Sequence, residues 1–96
     1  MTLEYLHKHI LEEIQGAEDY MTKAIEHKGK QCGQMFYSMA MMELDHANKL
    51  TKMFNSMEKP KAMTDADYSA MTKGILDAYS TGMGKIEQMK KLYWSE

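Results

Sequence analysis

ELDHANKL, residues 43 to 50, sets a glutamate and a histidine three places apart inside a run whose apolar residues recur at helical spacing. Residues three apart are neighbours on one helix face, and here that face is the apolar one. Positions 39, 40, 43, 46, 47 and 50 form a single strip, so burying Met39, Ala40, Ala47 and Leu50 draws Glu43 and His46 inward with them. An unpaired buried carboxylate is costly or is forced to neutralise, so something must satisfy the pair. A plainer reading stands beside this one: Glu-x-x-His arises by chance on many helices, with the acid pairing to a lysine and the imidazole bonding a carbonyl.

Working outward, the helix that holds this stretch is expected from about Gln34 to Met57, with Phe36, Met39, Ala40, Ala47, Leu50, Met53 and Phe54 as its apolar stripe. A first helix is expected from about Leu3 to Lys28, opened by Thr2 as N-cap, with Leu6, Ile10, Glu13, Ala17, Tyr20 and Ala24 along one side. Between them HKGKQCG, residues 27 to 33, carries two glycines and is the natural break. So short a connection makes the two helices an antiparallel hairpin, residues 3–57. Asn55 to Thr64, containing the only proline, reads as a turn, and Thr64 and Asp65 can cap a third helix, residues 64–93. Gly74, Gly82 and Gly84 weaken that helix and predict a kink or a close helix contact near Gly82. The expected fold is all-α, one domain over residues 1–96: a helical hairpin plus a third C-terminal helix, whose path the sequence leaves open.

Composition narrows the function classes. With 12 basic against 14 acidic residues and a formal charge of −2, the chain lacks the basic excess of a nucleic-acid binder. Charges throughout MTLEYLHKHILEE and the absence of eighteen consecutive apolar residues argue against a signal peptide and a membrane span. The single cysteine, Cys32, placed in the glycine-flanked loop, cannot form an internal disulfide, and a cytoplasmic location is expected. The twelve methionines, Met35, Met39, Met42, Met53, Met63, Met71, Met83 and Met89 among them, read as filling for a pliable helical core rather than as a soft-metal site.

The facing helix offers an acid at the right height. In an antiparallel hairpin turning near residue 29, Glu13 stands level with the interval between Glu43 and His46; Glu18 also fits on height alone. Glu13 lies in the strip of Ile10, Ala17 and Tyr20, whereas Glu18 lies off it, so the face favours Glu13. Two carboxylates and an imidazole converging between helices are ligands for iron, manganese or zinc. A four-helix carboxylate site takes one glutamate from each of two helices and a Glu-x-x-His pair from each of the other two. This chain supplies one of each, so two copies related by a twofold axis complete the set. The expected assembly is a homodimer or higher even-numbered oligomer, a four-helix bundle completed by dimerisation.

ELDHANKL resembles the E-x-x-H-A-x-x-L signature on the second helix of ferritin-like di-iron proteins. EIQGAEDY, residues 13 to 20, is similar to their first-helix pattern of a glutamate, a small residue three later and a tyrosine seven later. The resemblance covers about residues 5 to 54, and the separation of Glu13 from Glu43 is close to that in ferritins, rubrerythrins and the short encapsulated ferritins. It selects Glu13 over Glu18. It implies Glu13, Glu43 and His46 as metal ligands and catalytic residues, with Glu43 bridging two irons per dimer, Tyr20 as a supporting hydrogen-bond donor, and Tyr37 as a weaker one.

The activity implied is that of a ferroxidase oxidising Fe(II), for storage or to remove reactive iron. Storage requires a larger cage or a separate shell protein taking this one as cargo, and KKLYWSE at the C-terminus shows no small, apolar docking extension. A rubrerythrin-like peroxide reductase ranks lower, because the paired cysteines of a rubredoxin module are missing from these residues. A non-enzymatic helical assembly module is the alternative from another class. Glu87 reads as a surface partner of Lys90 or Lys91, with an extra ligand or entry carboxylate as its alternative. His7 and His9 fall on different sides of the first helix, and His27 at its end suits the helix dipole. Tyr79, Tyr93 and Trp94 offer amphipathic surface for contacts between dimers.

Overall fold

Thr2 opens the first helix as expected, its Oγ1 accepting the Tyr5 N–H at 3.1 Å. The computed structural model describes residues 1–96 and holds three helices, α1 Leu3–Glu26, α2 Gln31–Ser56 and α3 Asp65–Trp94, with no strand. α1 closes at His27, and Gly29, at φ +83°, turns the chain in the left-handed region that glycine tolerates. The second helix therefore begins three residues before the expected Gln34, which puts Cys32 in its first turn and not in a loop. Gly33 makes this tight reversal feasible, because a Cβ there would run into the His27 carbonyl oxygen. Thr64 caps α3 by accepting the Asp67 N–H at 3.1 Å, and α3 continues unbroken past all three of its glycines.

α2 runs antiparallel to α1, and α3 returns parallel to α1, packing on its other flank. The contact anticipated at Gly82 is present: a Cβ there would lie 2.5 Å from Ile14 Cγ2. α2 and α3 meet through side chains. Tyr79 O–H donates to Asn48 Oδ1 at 3.0 Å and lies 3.1 Å from Thr51 Oγ1, and Trp94 Nε1–H donates to the Tyr37 hydroxyl at 3.2 Å. Lys28 closes the far end, its ammonium donating to the Leu92 carbonyl at 2.9 Å, to Ser95 Oγ at 3.0 Å and to the Ser95 carbonyl. A lysine on the last carbonyls of α3 also complements the negative end of its dipole.

The core divides into two clusters along the length of the molecule. One gathers Leu3, Leu6, Ile10, Ile14, Ala47, Phe54 and Ile75; the other holds Ala17, Met21, Ala24, Ala40, Ile86 and Tyr93. Burying a side chain such as Phe54 or Leu6 stabilises by about 1.5–3 kcal/mol. The Cα envelope measures 52 × 21 × 15 Å, a thin slab that leaves the outer face of α2 uncovered.

Two expectations need correction. Met21 is fully buried and Met41, Met57, Met63, Met71 and Met89 pack against the core clusters as expected, but Met35, Met39, Met42 and Met53 are 60, 36, 57 and 43 % exposed. Helical spacing marks an apolar face but not what covers it, and the third helix packs on α1 and on the far side of α2. Tyr79 and Tyr93 are spent within the chain, the first bonded to α2 and the second buried and stacked on Tyr37 at 4.8 Å. No helix is long and apolar enough to cross a membrane.

Candidate metal centre

Glu13 leaves α1 at the level where the two core clusters meet, flanked by Ile14 of one and Ala17 of the other. Across the hairpin, Ala40 and Ala47 bracket Glu43 and His46 in the same way. The apolar residues above and below fix the helix register, and the acids and imidazole occupy the gap between them. One turn beyond Glu13 stands Gly16, and Glu43 Oε2 lies 3.0 Å from the place where a Gly16 Cβ would be. Only a glycine admits the carboxylate so close to the α1 backbone. The sequence reading included Gly16 as the small residue of the first-helix pattern but gave it no role.

One potential ligand atom from each of Glu13, Glu43 and His46 lies within 4.8 Å of the other two. Oxygen and nitrogen ligands about 2.1 Å from a common ion are at most about 4.2 Å apart, so a side-chain adjustment of some tenths of an ångström would bring all three onto one cation. His46 Nδ1 is 3.7 Å from Glu13 Oε2, too far for a hydrogen bond. That oxygen is shut off from solvent and, with Glu43 ionised, has no hydrogen-bond partner, although a buried polar atom of this kind is normally paired. Glu43 is pushed up to about 7, first by hydrogen bonding of its protonated form to Glu13, then by burial and by the Glu13 charge, against an opposing pull from His46. Two carboxylates side by side, one with an unpaired buried oxygen, form a cluster that a cation would stabilise. Glu13 is 21 % exposed and His46 49 %, so the cluster opens toward the uncovered face of the hairpin.

With this geometry, the comparison with known proteins is specific. A family model described as Rubrerythrin matches residues 4–94. The chain belongs to the rubrerythrin family. No curated protein and no solved structure matches it. Membership places the chain among ferritin-like di-iron proteins, and a di-iron carboxylate site is the group the rubrerythrin family suggests here. The residues fit it: the donors are hard carboxylates and an imidazole, gathered around an oxygen that lacks a partner.

The remaining residues singled out from the sequence fall elsewhere. Tyr20 lines an open cleft of about 440 Å³ with Gly16, Asp19, Lys23, Phe36 and Glu43, beside the cluster. Tyr37 faces α3, bonded to Trp94 and stacked on Tyr93. Glu18 turns to the opposite flank of α1, 3.9 Å from Lys85 Nζ and 3.6 Å from a Cβ built on Gly82. Glu87 pairs with Lys90 at 3.4 Å. His7 abuts Gly74 of α3, while His9 packs at a tilt against Tyr5 and approaches Glu12, so the two histidines do part sides.

Proposed function

We propose that this rubrerythrin-family chain takes Fe(II) as substrate and oxidises it at a centre that two copies build together. The observation that carries the reading is the convergence of Glu13, Glu43 and His46 around an oxygen with no partner. Glu13 is held by its neighbours in the core and anchors the inner side of the site. Glu43, with room beside Gly16 to move, would hold an ion from the opposite helix. His46, half exposed, reaches toward the open face and presents its ring there. Three donors make half of the four-carboxylate, two-histidine set that a four-helix bundle assembles, and a second hairpin across a twofold axis would supply the other half. Iron held this way supplies one-electron exchange with oxygen or peroxide. The protein's part is to gather the ions, neutralise their charge with carboxylates and keep coordination positions open. Manganese and zinc accept the same donors. Two hairpins enclose no storage volume, so mineral storage would require a surrounding shell.

Family membership supports a second reading, reduction of peroxide at the same centre with electrons delivered by another protein. Anaerobic titration of metal-free protein with Fe(II), followed by admission of air or of peroxide, tests both. Saturation near one iron per chain with rapid formation of ferric absorbance in air, both lost in Glu43→Ala, is the result expected. Ferrous protein that is inert to air but consumes peroxide would favour the second reading. Identical traces from wild type and Glu43→Ala would remove the metal centre from consideration.

A further inference from the structure

The exposed methionines of α2 are not scattered. Met35, Met39, Met42, His46, Lys49 and Met53 follow one another at intervals of four, three, four, three and four residues. That alternation is the seam of a helix that packs lengthwise against another helix. Within this chain no other helix lies across it, because α3 meets α2 on the other side through Tyr79 and Tyr37, and its methionines stay 36 to 60 % exposed. None of the four methionines belongs to either core cluster or packs against one. The seam runs through His46, which stands at the open edge of the half-complete metal site. A twofold contact places the same patch on both partners, so a second copy seated here would cover both seams and join both half-sites. Methionine is also the apolar side chain whose character chemistry can reverse.

Resting on the reading of a shared centre, we propose that these four thioethers are modification sites for hydroperoxides and that their oxidation state decides whether two copies pair. Reduced, they form an apolar seam between two α2 helices. In the modifying step, the sulfur lone pair attacks one peroxide oxygen; the S–O bond forms and the O–O bond breaks. Sulfur is oxidised by two electrons to the sulfoxide, and the second oxygen takes the peroxide proton and leaves as water from hydrogen peroxide or as an alcohol from an organic hydroperoxide. Sulfoxides are polar and disrupt methionine-rich interfaces, so the seam opens. The two core clusters do not draw on the four seam residues: Met21 is buried within one, and Met41, Met57, Met63, Met71 and Met89, all less exposed than the seam, pack against them. Met1, also exposed, lies outside the seam and serves as an internal control for simple accessibility.

The test uses full-length protein loaded with Zn(II), which accepts carboxylate and imidazole donors and has no redox chemistry of its own. Sedimentation velocity before and after hydrogen peroxide gives the mass, peptide mass spectrometry locates the added oxygen, and circular dichroism follows the helices. Untreated protein should sediment at twice the 11.1 kDa of one chain. After treatment, sulfoxide at Met35, Met39, Met42 and Met53 should accompany loss of the paired species with helicity unchanged. A variant with all four replaced by Leu should stay paired through the same treatment. Wild type that stays paired while carrying the four sulfoxides, or a four-leucine variant that dissociates equally, overturns the switch and leaves the shared centre standing. Untreated, Zn-loaded protein that is a single chain at every concentration overturns both.

Discussion

Replacing Gly16 with alanine should push stability and metal affinity in opposite directions. In a helix interior, alanine is more favourable than glycine by about 0.8–1.0 kcal/mol, and Gly16 sits mid-way along α1. The new Cβ would stand 3.0 Å from Glu43 Oε2, inside the roughly 3.4 Å at which ordinary contact begins. What it meets is the free end of a flexible side chain, so Glu43 gives way by some tenths of an ångström or changes rotamer. Holding a side chain about 30° off its rotamer costs about 0.5–1.5 kcal/mol, whereas moving to another staggered well avoids that cost. In chelator the variant should therefore melt between the wild-type temperature and about 4–8 °C above it, the shift equivalent to about 1 kcal/mol for a domain of this size. Metal binding should weaken by about 10–100-fold, the usual penalty for disturbing the groups that orient a ligand. Thermal melts in chelator and titration with a divalent ion measure the two quantities on one preparation. A variant that binds metal as tightly as wild type, or that melts several degrees lower without metal, would refute the assignment of Gly16 as the residue that makes room for Glu43.

Because the Glu43 pKa is raised from 4.5 to about 7, its contribution to metal-free stability is fully present below about pH 4.5 and is lost as pH rises through 7. Wild type in chelator should lose melting temperature between those values, and Glu43→Gln, which cannot ionise, should lose less; equal slopes would refute the cause given. With saturating metal the order should reverse, wild type gaining about 2.7 kcal/mol at a free concentration one hundred times its dissociation constant and the variant gaining less. Tyr79→Phe removes the hydroxyl bonded to Asn48 and beside Thr51, and should cost about 1 kcal/mol, read as a lower denaturant midpoint; no change would mean that the α2–α3 contact is idle. Gly82→Val forces atoms into the space of Ile14 Cγ2 and should destabilise by about 1–3 kcal/mol, checked by urea unfolding.

The parts of the molecule legible in the sequence are those governed by local chemistry. Thr2 and Thr64 cap helices because hydroxyls beside free amide groups do so in any context. The height match of Glu13 with His46 followed from rise per residue and a short turn, and the structure places them 3.7 Å apart. Gly33 reads as a breaker in the sequence, whereas in α2 it is a helical residue that lacks a side chain where the His27 carbonyl passes, so the helix starts earlier than the pattern predicts. The exposed methionines of α2 escape the sequence pattern for a different reason. Spacing shows that Met35, Met39 and Met42 share a face, and it is silent on whether the cover comes from the same chain. The return of α3 beside α1 depends on Gly82 meeting Ile14 and Tyr79 reaching Asn48, pairings between distant residues that no local pattern announces.

The cost of the site and the thinness of the fold have one origin. A chain of 96 residues has little core to spare, and two carboxylates side by side at its middle work against folding, because each disfavours the ionised form of the other. The arrangement is tolerable because the clusters on either side are complete without these residues: Phe54 with Leu3 and Leu6 at one end, Met21 with Ala40 and Ile86 at the other. Had the acids been buried as deeply as those side chains, they would have required partners from within the chain and left nothing to offer an ion. Set instead at the uncovered edge, with Glu13 Oε2 unpaired and His46 half in solvent, they stay cheap enough for the helices to form and unsatisfied enough to bind. The same uncovered edge carries the methionine seam, so the surface that lets the monomer tolerate its acids is also the surface through which a second hairpin would complete their coordination.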